Sequence, residues 1–247
     1  MKSVGIITDA HIPFENKRHY ACMMNAFAGT GLDALYIIGD YLDFYWANQH
    51  GPKHPLVLKG FTDEIEAGNK RLDEIDKTFP GIPKYFIEGN HEWRFERYLV
   101  AKCPELFGLT SVPHLLHLET RPGWTWVPYG PRQKMRVENS NLWIRHDPGP
   151  GRGEALVRNL GDSLVHGHTH RISTSTHVTL SGRTNVVICG GWLGDIRFDK
   201  IFGYVQGHHL WNAGFVHVVV HDKSFDFGIV PISTDSTCVL NGKKYRP

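Results

Sequence analysis

Aspartate, asparagine and histidine recur along this chain in short runs, each placed after or at the end of an apolar stretch. Asp9-Ala10-His11 follows Ser3-Val4-Gly5-Ile6-Ile7-Thr8, and Gly39-Asp40-Tyr41-Leu42-Asp43 follows Ala34-Leu35-Tyr36-Ile37-Ile38. Gly89-Asn90-His91-Glu92 follows Tyr85-Phe86-Ile87-Glu88, His146 ends Leu142-Trp143-Ile144-Arg145, and Gly167-His168-Thr169-His170 comes after Ser163-Leu164-Val165. Carboxylate, carboxamide and imidazole are the nitrogen and oxygen donors that divalent cations take, and the set is large enough for two of them. Asp9 and His11 are two apart at the end of an extended run, so both side chains leave on one face; His168 and His170 repeat the arrangement. Asp40 has two carboxylate oxygens and could bridge two cations. Asn90 offers a neutral carbonyl oxygen.

The elements that must position these groups follow from periodicity. The apolar runs before the motifs lack alternation, as expected of strands buried on both faces. From Lys17 to Ala28, Tyr20, Met23, Met24 and Phe27 recur at helical spacing. A second helix is predicted near Asp63, a candidate N-cap with Glu66 three residues on; it carries Ile65, Leu72, Ile75 and Phe79 and stops at Pro80-Gly81. Strand and helix then alternate over Lys84 to Glu88, Glu92 to Ala101, Leu142 to His146, Gly153 to Leu160 and Ser163 to His166. Beyond His170 the pattern becomes hairpins, Thr174 to Leu180 with Thr184 to Cys189 and Phe215 to His221 with Phe225 to Ile232. The expectation is one α/β domain spanning residues 1–247, with two sheets packed face to face and helices outside. Every motif lies beyond the carboxyl end of a strand, where ligands gather in such sheets. Segments 44–61, 103–141 and 192–212 fit no regular element and are rich in aromatics; they are predicted to wall the cleft and select the substrate.

Composition narrows the function classes. Lys and Arg total 27 against 25 Asp and Glu, a formal charge of +2 that argues against general attraction to nucleic acid or membrane. Four widely spaced cysteines, Cys22, Cys103, Cys189 and Cys238, form no Cys-x-x-Cys pair and read as reduced thiols rather than a disulfide framework. The apolar run before Asp9 is too brief for a signal peptide and no stretch is long enough to span a bilayer, so a cytoplasmic location is expected.

In their order, the five runs resemble the calcineurin-like metallophosphoesterases, whose pattern is D-x-H, G-D-x-x-D, G-N-H-E/D, H and G-H-x-H. The resemblance covers Asp9 to His170 and implies a four-layer α/β/β/α sandwich of two mixed β-sheets flanked by helices. It implies one metal held by Asp9, His11, Asp40 and His170, and a second held by Asp40, Asn90, His146 and His168. Family habit favours Mn²⁺; Fe, Zn²⁺ or Ni²⁺ suit the same donors. His91 is implied to stand over the substrate as general acid, with Asp43 orienting it and raising its pKa. Two cations roughly 3.5–4 Å apart can share a water, lower its pKa and aim a hydroxide at phosphorus.

The chain departs from the family pattern twice. Protein phosphatases of the superfamily continue G-D-x-x-D with a phosphate-gripping arginine, where this chain has Phe44-Tyr45. His146 is followed by Asp147-Pro148 rather than glycine, which leaves His166, His114 and His117 as alternatives for that ligand. The expected activity is therefore hydrolysis of a phosphomonoester or phosphodiester, on a nucleotide or small phosphorylated molecule rather than a phosphoprotein. Arg94, Arg97 and His208 are the candidate substrate contacts, the arginines because guanidinium matches phosphate in a bidentate fork. A nuclease acting on DNA or RNA is the alternative within the enzyme class. A non-catalytic interaction scaffold and a nucleic-acid-binding module with structural metals are the alternatives outside it.

Overall fold

The computed structural model describes residues 1–48, 60–131, 133–151, 153–197 and 210–247. Along the chain come β1 (Lys2–Thr8), α1 (Lys17–Thr30), β2 (Ala34–Ile38), α2 (Phe61–Thr78), β3 (Lys84–Ile87), α3 (Asn90–Lys102), the single-turn α4 (Val112–Leu115), β4 (Trp124–Val127), β5 (Met135–Arg136), β6 (Leu142–Arg145), α5 (Gly153–Leu160) and β7 (Ser163–His166). Three hairpins follow, β8 (Ile172–Val178) with β9 (Thr184–Gly190), β10 (Gly214–His221) with β11 (Ser224–Pro231), and β12 (Cys238–Leu240) with β13 (Lys243–Tyr245).

The strands form a six-stranded sheet, ordered β11-β10-β1-β2-β3-β4, and a five-stranded sheet, ordered β5-β6-β7-β9-β8. Both are mixed. In the first, β1 to β4 are parallel and the β10–β11 hairpin is antiparallel; in the second, β6, β7 and β9 are parallel between antiparallel β5 and β8. Alternate residues of the central strands then serve different cores. Ile7, Leu35, Ile37 and Phe86 pack with Met23 and Phe27 of α1, Leu72 and Ile75 of α2 and Phe95 of α3. Ile6, Tyr36, Ile38 and Ile87 point the other way, onto Ile144, Val165 and Ile188 of the second sheet. Leu164 and Val187 of that sheet pack under Leu156 and Val157 of α5. The order is helix, sheet, sheet, helix, with apolar side chains at period two filling each gap.

Register decides where the motifs meet. Thr8 pairs with Ile38 and Ile38 with Ile87, so three parallel strands end in one row. In the second sheet Arg145 pairs with His166, which ends β6 and β7 together. Asp9, Asp40, Asn90, His146 and His168 are thus within a few residues of one edge before any side chain is considered.

Some expectations are corrected. Asp63 is not the N-cap of α2; Gly60 caps it, and Asp63 with Glu64 occupies the first turn, where carboxylates favour the helix dipole. Segment 103–141 is not free of regular structure, since it supplies α4, the edge strand β4 and the edge strand β5. Trp126 in this segment packs on Phe86, and Trp46 of segment 44–61 packs on Phe61, Phe95 and Tyr98; both tryptophans are half-buried against the core. Residues 49–59 and 198–209 lie outside the described residues. Among the described residues no helix is long and apolar enough to cross a membrane.

Candidate metal centre

Each motif residue reaches the site through a tight backbone device. Asp9, His11, Asp40, His168 and His170 all have positive φ, between 46° and 68°. Non-glycine residues occupy that region rarely, and its recurrence at five motif positions concentrates strain at one place. Gly39 and Gly89 let the two loops touch: a Cβ on Gly39 would lie 2.5 Å from Gly89 Cα, and one on Gly89 would lie 2.2 Å from Asp40 N. Any side chain there would push Asp40 out of line.

Glu92 then locks the contact. Fully buried, it accepts hydrogen bonds from the backbone N–H groups of Asp40 (2.9 Å) and Gly89 (2.8 Å) through Oε2, and from Leu42 (2.8 Å) through Oε1. Gln133 does similar work for the second sheet, where His146 N donates to its Oε1 at 3.1 Å and its Nε2 donates to the Glu88 carbonyl at 2.7 Å. Neither residue is singled out by the sequence reading. Glu92 stands in view in the Gly-Asn-His-Glu run, three residues into a helix, the spacing from which a glutamate reaches back to the N-terminal N–H groups.

Three groups of donors result, two of which share Asp40 while the third joins His11, Asp43 and His91. His11 Nε2 lies 3.1 Å from His170 Nε2, and His170 Nε2 lies 3.5 Å from Asp9 Oδ1; with Asp40 these four residues place one donor atom each within 4.8 Å of the others. Asp40, His146 and His168 form another such group. There His146 Nε2 lies 3.3 Å from Asp40 Oδ1 and 2.9 Å from Asn90 Oδ1, and His168 Nδ1 lies 2.7 Å from the same Asn90 oxygen. Donors held about 2.1 Å from one cation stand roughly 3–3.5 Å apart when adjacent, so these spacings fit a shared ion.

Tautomers point the same way. The Nδ1–H of His146 donates to the Ile38 carbonyl at 2.9 Å, which turns Nε2 into the cluster. This is a contact between the two sheets, and it places His146, rather than His166, His114 or His117, beside Asp40. His166 instead turns its Nδ1 to the Gly167 carbonyl.

Charge supplies a further test of fit. Asp9, Asp40 and Asp43 are buried, and among the described residues no lysine or arginine forms an ion pair with them. Asp9 Oδ2 is buried without a hydrogen-bond partner. Burial alone would raise Asp40, yet His146 and His91 hold its carboxyl well below the usual range. Burial opposes protonation of His146, but Asp40 outweighs it and lifts the imidazole to about 10. Three buried carboxylates compensated mainly by imidazoles, with Arg94 acting only on Asp43 from beside its carbonyl, make a pocket that cations suit.

His91 sits at the junction with Nε2 3.8 Å from Asp40 Oδ2. Its relation to Asp43 differs from expectation. Nδ1–H donates to the backbone carbonyl of Asp43 at 2.8 Å, whereas the Asp43 carboxylate is 3.6 Å away and instead bonds His11 Nδ1 at 2.9 Å. Burial outweighs both nearby carboxylates and pushes His91 down to about 3, the opposite of the expected rise. Arg94 reaches the same place, its Nη1 donating to the Asp43 carbonyl at 3.3 Å. Arg97, one turn on, is exposed and lies over the Trp93 ring, 5.1 Å from its centre. His208 falls outside the described residues. Trp192 stacks on His170 with ring centres 5.3 Å apart and Trp211 meets it edge-on at 4.4 Å.

No family model matches the chain. Gene 54 protein of Mycobacterium phage L5 is 24% identical over 253 residues, covering 94% of this chain and 94% of that protein. Its namesake in Mycobacterium phage D29 is similar to the same extent. UDP-2,3-diacylglucosamine hydrolase of Yersinia enterocolitica is 25% identical over 200 residues, 65% of this chain and 78% of that enzyme. Among solved structures, Vps29 of Cryptosporidium parvum aligns over 100% of this chain and 95% of its own at a TM-score of 0.48 and 11% identity. Zinc-complexed Vps29 of Entamoeba histolytica aligns over 99% and 97% at 0.46 and 11%.

Proposed function

We propose that the chain is a binuclear metal-dependent phosphoesterase acting on a nucleotide or small phosphorylated molecule. The single observation that carries the reading is the sharing of Asp40 by both donor clusters, Asp9-His11-Asp40-His170 and Asp40-His146-His168. Asn90 Oδ1, 2.7 Å from His168 and 2.9 Å from His146, joins the second. The likeness to UDP-2,3-diacylglucosamine hydrolase supports a hydrolase on a phosphorylated substrate.

In this reading Asp9, His11, Asp40 and His170 hold one divalent cation and Asp40, Asn90, His146 and His168 the other, Mn²⁺ by preference with Fe, Zn²⁺ or Ni²⁺ acceptable. Bound there, the pair supplies Lewis acidity that lowers the pKa of water and stabilises charge developing on phosphoryl oxygens. The chain does the rest. Asp43 fixes His11 through Nδ1 and so presents Nε2 as a donor. His91, with Nδ1–H anchored on the Asp43 carbonyl, keeps Nε2 as the nitrogen that faces the reacting group. The negative charge of a phosphoryl group beside it offsets the burial that disfavours its cation, so Nε2 carries its proton when substrate is present and delivers it to the leaving oxygen. Arg94, beside the same carbonyl, is placed to meet a phosphoryl oxygen.

Asp40→Asn tests the reading. With Mn²⁺ present, the native chain should hydrolyse p-nitrophenyl phosphate or its bis-ester, and the variant should lose at least about a hundredfold in kcat/KM. Undiminished turnover in the variant would reject it.

A further inference from the structure

Beside the metal-ligand clusters, an open cavity of about 430 Å³ lies between α5 and β8. One wall is His168, a member of the second cluster. Leu156 of α5 and Val187 of β9 give it an apolar side, while Arg171, Ser173 and Ser175 give it a polar one. The polar three are spaced by two along the chain into β8, so they leave on one face. That face turns toward α5, because His177, next in the series, lies 3.6 Å from Glu154 of that helix.

The cavity has the size of a small-molecule site, apolar in part with a few convergent polar groups. Its charge is one-sided, since among the described residues no aspartate or glutamate lines it. Arg171 is half-buried, and among the described residues its guanidinium pairs with no carboxylate. A guanidinium that lines a cavity beside serines, with no carboxylate partner among the described residues, can serve as an anion receptor.

We propose that this cavity receives the part of the substrate beyond the scissile phosphate, and that Arg171 binds a second phosphoryl group there. The preferred substrates are then small molecules bearing two phosphoryl groups, one at the metal ligands and one at Arg171. In the reaction the oxygen of water bonds to the first phosphorus, the bond to the leaving oxygen breaks and that oxygen takes a proton; the second phosphoryl group passes through unchanged. This inference rests on the phosphoesterase reading for its first phosphate.

The experiment compares propanediol bisphosphate with propyl phosphate on the full chain with Mn²⁺ in excess, reading both equilibrium binding by calorimetry and release of phosphate. The native chain should bind the bisphosphate at least about tenfold more tightly, and Arg171→Gln should remove most of that preference while Arg171→Lys keeps part of it. Ser173→Trp, which narrows the mouth from an exposed position, should reduce the same ratio. A ratio unchanged in both Arg171→Gln and Ser173→Trp overturns the proposal. Hydrolysis of both esters with an unchanged ratio defeats the second-phosphate subsite alone. An Arg171-dependent preference in binding without hydrolysis of either ester keeps the subsite and defeats the phosphoesterase reading.

Discussion

Asp43 divides itself between two histidines: its carboxylate holds His11 Nδ1 at 2.9 Å, and its backbone carbonyl holds His91 Nδ1 at 2.8 Å. One residue thus sets the direction of a candidate metal ligand with its side chain and of the candidate acid with its main chain. Removing the side chain should disturb the first far more than the second. Asp43→Ala is expected to weaken Mn²⁺ binding by about 10- to 100-fold, read by calorimetric titration. Unchanged metal affinity together with a lost acid limb in the pH–rate profile would instead make the carboxylate a partner of His91.

His91 should matter in proportion to the leaving group's need for a proton. His91→Ala is expected to cut hydrolysis of an alkyl phosphate by about 10²- to 10⁴-fold and that of a p-nitrophenyl ester much less, because nitrophenolate leaves without protonation. Equal losses on both esters would assign His91 to binding rather than proton delivery.

Glu92 accepts three backbone N–H groups in a fully buried position. Glu92→Ala leaves all three without a partner and should cost about 3 kcal/mol or more of stability in urea unfolding. A cost within about 0.5 kcal/mol would show that the Asp40 loop holds its shape without it.

Glu88 is buried, and burial pushes its carboxyl up to about 8 although the N–H of Tyr129 donates to it at 2.7 Å. A folded-state value above the unfolded one means the folded chain binds this proton more tightly. The stabilisation is therefore complete below about pH 4.5 and disappears as pH rises through about 8. Glu92, raised to about 7, and Glu64, raised to about 8, act in the same direction. Glu88→Gln keeps an acceptor for Tyr129 and cannot titrate, so its loss of stability across that window should be smaller than the native protein's by on the order of 2 kcal/mol. Parallel stability curves for the two proteins would contradict the assignment.

Much of this site is legible in the sequence because strand ends do the positioning. Once Thr8, Ile38 and Ile87 are aligned in register, the residues after them must converge, and the apolar runs that fix the register are unambiguous. The burial on both faces expected of those runs is what separates the two central cores. What escapes the sequence depends on distances between elements. The resemblance assigns the Asp43 carboxylate to His91, and nothing in the sequence shows that His11 receives it instead. Arg94 and Arg97 are three apart on one helix and equally plausible in sequence, yet only Arg94 turns to Asp43 while Arg97 covers Trp93. Strands β4 and β5, four and two residues long, are too short for alternation to register, and the partner of β4 is distant in the chain.

The central claim is that Asp40 is shared by two cations. Titration of Mn²⁺ into metal-free protein, followed by calorimetry, should give two bound ions per native chain and fewer than one in Asp40→Asn. No binding by the native chain, or two ions retained by the variant, would contradict it.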